Sequence, residues 1–305
     1  MSVAARPLVL KFGGELLEDR ANLASVVSGV AAIRGAVPLT PVVIVHGGGK
    51  EIDAALKVAG IEKRQVEGLR ITDEATLDVV VSVLAGAVNT RFVAALTTAG
   101  VAAVGLTGAD ARCGLSTTAP PHHTVDGRIV DLGCVGVPDR AADERVLSTL
   151  TGGGFVPVVA CIGLGQDGRL FNVNADTFAG HLAAKLGARR LVIAGTTPGV
   201  LGADGATVPV LEDDAIARLV SDGTATAGMI AKLRACEHAL AGGVEDVVIV
   251  DGRDRTALIS AAGNEMSLRA TRLRAGLKTC ATSAEAPTEA VQDVGPAFSR
   301  SSAGR

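Results

Sequence analysis

The sequence has no tryptophan, no tyrosine and only 6 phenylalanines among its 305 residues. Aromatic rings are the platforms on which single-stranded nucleic acids stack their bases, so this scarcity argues against that kind of binding. Basic residues are not in excess either, since 29 Lys and Arg are set against 32 Asp and Glu. The overall charge therefore shows no signature of polyanion binding, and no nucleic-acid partner is expected.

Long apolar runs and paired cysteines are also missing. The longest apolar run, 79–88, is interrupted by Ser82 and is too short to cross a bilayer, so no membrane partner is expected. The first residues lack the apolar segment of a secretory signal peptide. The 5 cysteines form no Cys-x-x-Cys pair, which is typical of reduced thiols in the cytoplasm. The expected location is therefore cytoplasmic.

What the sequence does contain is an alternation of short Val/Ile/Leu runs and longer amphipathic segments. The runs, each bounded by Gly or Pro, predict strands at 7–12, 41–46, 101–106, 156–161, 190–195 and 246–250. The segments between them predict helices at 22–34, 49–59, 73–99, 139–152, 175–187, 212–220 and 228–241. Asp-Gly turns predict hairpins at 124–130 and 165–170. Continuous apolar strands between helices indicate an α/β fold with a parallel sheet covered on both faces.

The last part of the chain has a different character. Residues 275–305 are rich in Ala, Ser, Thr, Pro and Glu and lack apolar periodicity, so a disordered tail is predicted there. The remaining residues, 1–274, are enough for one large α/β domain.

Two strand ends carry glycine turns. The first predicted strand ends in Lys11-Phe12-Gly13-Gly14, and the second ends in His46-Gly47-Gly48-Gly49 before a helix. Glycines at such a turn let a ligand approach the backbone, and the N–H groups and helix dipole there favour an anion, most often phosphate. The spacing matches neither a Walker A loop nor G-x-G-x-x-G. A plain tight turn would explain either alone, but two turns and a lysine favour phosphate binding.

Further polar residues lie beside predicted helix starts. Asn172, Asn174 and Asp176 fall within five residues, and Asn174 is as well explained by a helix N-cap as by ligand recognition. Lys232 is expected in the first turn of the last predicted helix, where a cation is unfavourable unless an anion is near. The guanidinium of Arg70 suits a carboxylate. Solvated surface positions are the alternative for Lys232 and Arg70.

Six motifs in this order resemble the amino-acid kinase family. They are Lys11-Phe12-Gly13-Gly14, His46-Gly47-Gly48-Gly49, Gly68-Leu69-Arg70-Ile71-Thr72-Asp73, Asp131-Leu132-Gly133-Cys134-Val135-Gly136, Asn172-Val173-Asn174-Ala175-Asp176 and Gly228-Met229-Ile230-Ala231-Lys232. The resemblance runs from about Leu8 to Gly252. The third motif resembles the corresponding motif in the branch of the family that acts on N-acetyl-L-glutamate.

The resemblance implies a three-layer αβα sandwich with a mainly parallel central sheet. Its N-terminal half, about 1–172, would bind the amino acid, and its C-terminal half, about 173–274, would bind ATP. The implied reaction passes the γ-phosphoryl of ATP, with Mg²⁺, to the side-chain carboxylate of N-acetyl-L-glutamate, a step of arginine biosynthesis. The chain begins shortly before Lys11, which leads us to expect a homodimer without arginine feedback.

The resemblance also assigns roles to residues. Lys11, Lys232 and Asp176 would be catalytic: Lys11 contacts the phosphoryl group, Lys232 neutralises the leaving side and Asp176 holds both lysines. ATP would be bound by Lys11, Gly13, Gly14, Gly228, Met229 and Lys232. The amino acid would be bound by Gly47, Gly48, Gly49, Arg70, Asn172 and Asn174. No metal ligand from the protein is expected, because Mg²⁺ would arrive with the nucleotide.

The residues leave other functions open. Thr196 stands where the family has an aspartate on the nucleotide side, so a non-catalytic sensor of amino acid or nucleotide is one alternative. A kinase of the same fold acting on carrier-linked aminoadipate, carbamate, a nucleoside monophosphate or glutamate is another. A dinucleotide-dependent oxidoreductase is disfavoured because the chain lacks G-x-G-x-x-G.

Overall fold

Strands and helices alternate along the chain, as the apolar runs predict. A computed structural model describes residues 5–36, 40–124, 126–202, 204–211, 227–263 and 269–274. The strands are β1 Leu8–Phe12, β2 Val42–His46, β3 Gln65–Val66, β4 Leu69–Arg70, β5 Ala103–Thr107, β6 Ser116–Thr118, β7 His122–His123, β8 Ile129–Val130, β9 Val135–Pro138, β10 Val156–Ala160, β11 Ile162–Leu164, β12 Leu170–Val173, β13 Arg190–Gly195, β14 Val210–Leu211, β15 Asp246–Asp251 and β16 Ala270–Arg274. The α-helices are α1 Glu15–Glu18, α2 Arg20–Ala36, α3 Gly49–Val58, α4 Glu74–Val81, α5 Asn89–Thr98, α6 Arg145–Gly152, α7 Ala175–Lys185, α8 Ala227–Ala241 and α9 Arg255–Ala262.

The main sheet has eight strands in the order β14-β16-β15-β13-β1-β2-β10-β5. The six strands predicted from the apolar runs are its six consecutive members from β15 to β5, and all pair in parallel. At the other edge, β16 pairs antiparallel with β15. A mainly parallel central sheet is therefore confirmed.

Helices cover both faces of this sheet, because each buried strand presents alternate residues to opposite sides. Along β1, Val9 packs into the core beneath α3, α6, α7 and α8, while Leu8 and Leu10 pack into the core beneath α1, α2, α5 and α9. The result is the three-layer αβα sandwich that the resemblance implied. A smaller four-stranded sheet, β11-β12-β9-β6, and the hairpins β3-β4 and β7-β8 complete it.

The helix predicted at 73–99 is a continuous helical segment, Glu74–Thr98, with a π-helical stretch at Ser82–Val88 between α4 and α5. Although its apolar run is short, the whole segment is long and apolar enough by length and composition to cross a bilayer. Core helices of globular proteins also meet that test. Here Leu84, Phe92 and Leu96 are buried in the two cores.

Some predicted elements differ from those observed. Helix α6 begins at Arg145 rather than at 139, because the side chains of Asp139 and Asp143 accept hydrogen bonds from nearby backbone N–H groups and fold this stretch into turns. Helix α9 was not predicted, although Asp254 caps it. The predicted helix 212–220 and the predicted tail 275–305 lie outside the described residues.

The carboxyl ends of β13, β1 and β2 lie side by side at the centre of the sheet. The chain leaves β1 toward β2 on one side and later places β13 on the other. Such a change of direction opens a crevice beyond the strand ends, which is where open α/β sheets bind ligands. Both predicted glycine turns fall at this crevice.

Candidate active site

Two lysines and one aspartate from distant parts of the chain meet where β1 ends. Lys11 Nζ lies 2.8 Å from Asp176 Oδ1, and Lys232 Nζ lies 3.6 Å from Oδ2 of the same carboxylate. Lys11 faces α7 because side chains alternate along β1, with Leu10 and Phe12 packed on the opposite core. The side chains of Lys11, Asp176 and Lys232 are only 8%, 13% and 17% exposed. The three residues predicted to be catalytic are thus brought together.

Burial and neighbouring charge act in opposite directions on this cluster. Burial lowers the pKa of Lys11, but the carboxylate of Asp176 outweighs it, so the pKa lies above its ordinary value. Burial and the charge of Lys11 hold the pKa of Lys232 below its usual value. Burial raises the pKa of Asp176, but the two lysines lower it further, so the carboxylate stays ionised. Two positive charges and one negative charge leave the cluster attractive to an anion.

The two glycine turns pack backbone against backbone. A Cβ on Gly14 would lie 2.5 Å from the Cα of Gly48, so neither turn has room for a side chain there. The N–H of Gly13 donates to a β13 carbonyl at 3.1 Å, and that of Gly47 donates to the last carbonyl of β1 at 3.2 Å. The N–H groups of Gly14, Gly48 and Gly49 have no acceptor within the described residues. The N–H groups of Gly48 and Gly49, at the start of α3, and that of Gly14, just before α1, are therefore available to a phosphate.

A cavity of about 200 Å³ lies on the β2 side of the lysines. It is lined by the second glycine turn, Arg70, Asn172 and Asn174, with apolar wall residues that include Leu84 and Val135. All the residues predicted to bind the amino acid therefore share one cavity.

One guanidinium nitrogen of Arg70 has no hydrogen-bond acceptor among the described residues. Its Nη2 donates to Asp53 Oδ1 at 2.5 Å and to the carbonyl of Gly49 at 3.3 Å. Lys63 contacts the same aspartate at 2.7 Å, which fixes the carboxylate from a second side. The Nη1 atom of Arg70 is buried and has no partner within the described residues. An unpaired buried donor is costly, so this atom is suited to an acceptor supplied by a ligand.

The two asparagines play different structural parts. Asn172 Nδ2 donates to Thr72 Oγ1 at 3.1 Å, which ties β12 to the segment before α4. Asn174 Oδ1 accepts the N–H groups of Asp176 and Thr177, both at 3.0 Å, and so caps α7. The N-cap alternative is therefore correct for the Asn174 oxygen, and this cap fixes the first turn that carries Asp176.

On the β13 side, α8 begins at Ala227, with Gly228 and Met229 in its first turn. The prediction for Lys232 was wrong by one turn, because the helix starts early enough to place it in the second. Thr196 uses its carbonyl to accept Arg253 Nη2 at 2.8 Å. The segment 212–226, just before α8, lies outside the described residues.

His46 supports the second glycine turn, a role that the motif alone did not reveal. Its Nδ1 donates to the carbonyl of Gly47 at 3.0 Å, and its Nε2 accepts from Asn89 Nδ2 at 3.0 Å. Asn89 Nδ2 also donates to the carbonyl of Val158 at 2.9 Å. Burial lowers the pKa of His46 to about 4, so the ring is neutral and no proton transfer is required of it. The sequence signal that could have indicated this role is the position of His46 at the end of a strand predicted to be buried.

Comparison with known proteins identifies the family of the chain. Residues 6–251 match the model of the amino acid kinase family. A protein named acetylglutamate kinase from Novosphingobium aromaticivorans is 42% identical over 82% of this chain and 84% of its own length. A protein of the same name from Methylobacterium nodulans is 42% identical over 81% of each chain.

Solved structures share the fold. N-acetylglutamate synthase from Neisseria gonorrhoeae, complexed with coenzyme A and N-acetyl-glutamate, superposes with a TM-score of 0.73 at 25% identity, covering 88% of this chain and 59% of that longer one. Carbamate kinase from Giardia superposes with a TM-score of 0.62 at 14% identity, covering 90% of this chain and 100% of that one. Together with the family match, these likenesses show that the chain belongs to the amino acid kinase family.

Proposed function

We propose that this protein uses ATP to phosphorylate the side-chain carboxylate of N-acetyl-L-glutamate, in arginine biosynthesis. The observation that carries the proposal is the pair of lysines held by Asp176 between a glycine-lined phosphate site and the Arg70 cavity. The relatives named acetylglutamate kinase support the choice of acceptor. The product is an acyl phosphate.

The chemistry suits a site without a general base. A glutamate side chain has an ordinary pKa near ~4.3 and is already ionised at neutral pH, so it can attack without losing a proton. The obstacle is repulsion between two anions and the charge that spreads over the transferred oxygens. Lys11 and Lys232 oppose this charge, and the N–H groups of Gly14, Gly48 and Gly49 donate to it.

Asp176 acts by holding the two lysines rather than by touching the substrate. Its two carboxylate oxygens face one ammonium group each, and the cap by Asn174 fixes the helix turn on which it lies. The lysine side chains are long, and without this contact each would have to be ordered as the substrate arrives. Positioning of this kind lowers the entropic part of the barrier.

The amino acid would lie in the 200 Å³ cavity. There the unpaired Nη1 of Arg70 would donate to the α-carboxylate, which leaves the side-chain carboxylate directed toward the lysines. Asn172 and Asn174 would meet its remaining polar groups. The N-terminal half, about 1–172, would thus bind the amino acid, and the C-terminal half, about 173–274, the nucleotide.

On the nucleotide side, Gly13, Gly228 and Met229 would border the ATP. A divalent cation fits this site, because Mg²⁺ takes phosphate oxygens and water and needs few ligands from the protein. Within the described residues, no group of three or more His, Cys, Asp or Glu side chains could hold a metal by itself. We propose Mg²⁺ as the cation that arrives with ATP, and a cytoplasmic homodimer as the working form.

Trapping of the acyl phosphate with hydroxylamine tests the proposal. ATP-dependent hydroxamate should form with N-acetyl-L-glutamate and not with L-glutamate, L-aspartate or carbamate. Lys232→Ala should abolish it, whereas Lys57→Ala, at an exposed position of α3, should leave it unchanged. Folded protein that binds ATP but yields no hydroxamate with any acceptor would contradict the proposal and favour a sensor. Hydroxamate with a different acceptor would reassign the substrate.

A further inference from the structure

Glu15 lies in the candidate active site, although no motif points to it. It is the first residue of α1 and directly follows Gly14. Its carboxylate fills the space into which a Cβ on Gly13 would project, and a Cβ on Gly195 would lie 3.5 Å from its Oε1. Glu15 therefore reaches across the ends of β1 and β13, on the side of Lys11 away from the amino-acid cavity.

This carboxylate acts on both lysines without being paired to either. Burial and Asp176 have larger effects on the pKa values of Lys11 and Lys232, and the charge of Glu15 adds a smaller upward effect on both. Yet Glu15 forms no ion pair with any Lys, Arg or His in the described part of the chain. A half-buried acid thus faces two cations across a gap.

Asp176 cannot serve in the same way. Its two oxygens face the two ammonium groups, at 2.8 and 3.6 Å, so its charge is already shared between them. Another cation brought to Asp176 would be repelled by the two ammonium groups that already lie beside it. Among the described residues Glu15 has no such partner, which leaves its oxygens available to a cation that enters with a ligand.

We infer that Glu15 is the protein ligand of the divalent cation that accompanies ATP, an inference that rests on the proposed function. The order lysine, phosphate, cation, carboxylate would then alternate in charge across the gap between Glu15 and the lysines. Mg²⁺ in kinases commonly takes one or two carboxylates and completes its shell with substrate phosphates and water. One glutamate satisfies this pattern, and a dedicated cluster of metal ligands is not needed.

A thermodynamic cycle tests the assignment. The affinity of AMP-PNP is measured by calorimetry with and without Mn²⁺, and the ratio of the two dissociation constants gives the coupling between cation and nucleotide on the protein. Glu15→Gln keeps the shape of the side chain and removes its charge. It should reduce this coupling by about tenfold or more, as loss of a metal-site residue typically does. Without Mn²⁺, its affinity for AMP-PNP should be unchanged or higher.

Two further variants sharpen the test. Glu18→Gln, on the same helical turn but exposed, is the matched control and should behave as wild type. Glu15→Asp should restore part of the coupling, and the electron paramagnetic resonance spectrum of bound Mn²⁺ should change in Glu15→Gln alone. Unchanged coupling in Glu15→Gln would overturn the inference, as would an equal loss of affinity with and without Mn²⁺.

These readouts use no acceptor, so they separate the two proposals. Coupling that Glu15→Gln reduces, together with no hydroxamate from any acceptor, would refute the proposed function and leave the cation assignment standing. Hydroxamate formation with coupling unaffected by Glu15→Gln would do the reverse. A folded chain that does not bind AMP-PNP even with Mn²⁺ would overturn both.

Discussion

Two buried clusters at opposite ends of the same sheet each surround one aspartate with two cationic side chains. At the carboxyl ends of the strands, Asp176 faces two lysines. At the amino ends, Asp246 is the first residue of β15 and binds Arg190, the first residue of β13, through contacts of 2.5 and 2.8 Å. Arg272 of β16 binds the same aspartate. The two clusters have the same net charge.

They differ in the donors that remain. At the amino ends, Arg190 Nη1 also donates to the carbonyls of Ala261 and Gly263, so each nitrogen of this guanidinium has an acceptor. Among the described residues of this cluster, Arg272 Nε is the one buried donor without an acceptor. Each ammonium group at the other end has three donors, and within the described residues Asp176 is its ion-pair partner. Spare donors beside free backbone N–H groups, rather than charge, distinguish a site from a structural clamp.

The largest expected effect is on catalysis at the carboxyl ends. Lys11→Ala should lower kcat by about 10³-fold, since it removes a donor to charge that develops in the transition state, and should change KM for N-acetyl-L-glutamate much less. Steady-state kinetics of acyl phosphate formation measure both constants. A loss of kcat below tenfold would mean that this cluster is also structural.

The second prediction concerns the amino ends. Asp246→Asn leaves two arginines without their counter-ion, so the free energy of unfolding should fall by about 3 kcal/mol, while the folded enzyme keeps kcat within about threefold. Urea unfolding measures the loss. Glu18→Gln, at an exposed ion pair with Lys50, is the control and should show no measurable change. Equal stability of Asp246→Asn and wild type would remove the distinction between the two ends.

The third prediction sharpens the role of spare donors. Arg70→Lys keeps the charge but loses the planar fork, so it cannot hold Asp53 and a substrate carboxylate together. KM for N-acetyl-L-glutamate should rise by about 10- to 100-fold, with KM for ATP unchanged. Arg64→Lys, at an exposed position nearby, should leave both constants as they are. An equal rise in both KM values would place Arg70 outside the amino-acid site.

The smallest effect concerns the neutral support beneath the second glycine turn. Because burial lowers the pKa of His46 to about 4, the unfolded chain binds a proton that the folded one does not between about pH 6.5 and 4. The free energy of unfolding should therefore decrease as the pH is lowered across this window. His46→Gln should make this dependence less steep by up to about 1.4 kcal/mol per pH unit. Burial also lowers the pKa of His181 to about 4, so His181 should account for the pH dependence of stability that remains in this variant. Urea unfolding at several pH values measures it, and an unaltered slope would show that His46 does not titrate on unfolding.

Much of the fold could be predicted from local patterns. The six parallel strands were predicted within two residues at each end, because short continuous Val/Ile/Leu runs bounded by Gly or Pro are typical of buried strands. The antiparallel strand β16, Ala270–Arg274, lies between β14 and β15. Its direction depends on pairing with β15, which no local pattern encodes.

The candidate site was less accessible from the sequence. The residues predicted to be catalytic could be grouped only through the family resemblance, since nothing in the sequence around Lys11 or Lys232 indicates that Asp176 lies between them. Which glycine N–H groups stay free depends on the sheet, because strand pairing consumes those of Gly13 and Gly47. Glu15 carries no local signal, since its position follows from the path of the chain after β1.

We propose that two clusters of equal net charge serve catalysis at one end of the sheet and stability at the other. Acyl phosphate formation by Asp176→Asn and Asp246→Asn, at equal concentrations of folded protein, tests it most directly. Asp176→Asn is expected to lose about 10²-fold or more of the wild-type rate, while Asp246→Asn is expected to stay within about threefold. Equal losses in the two variants would contradict it.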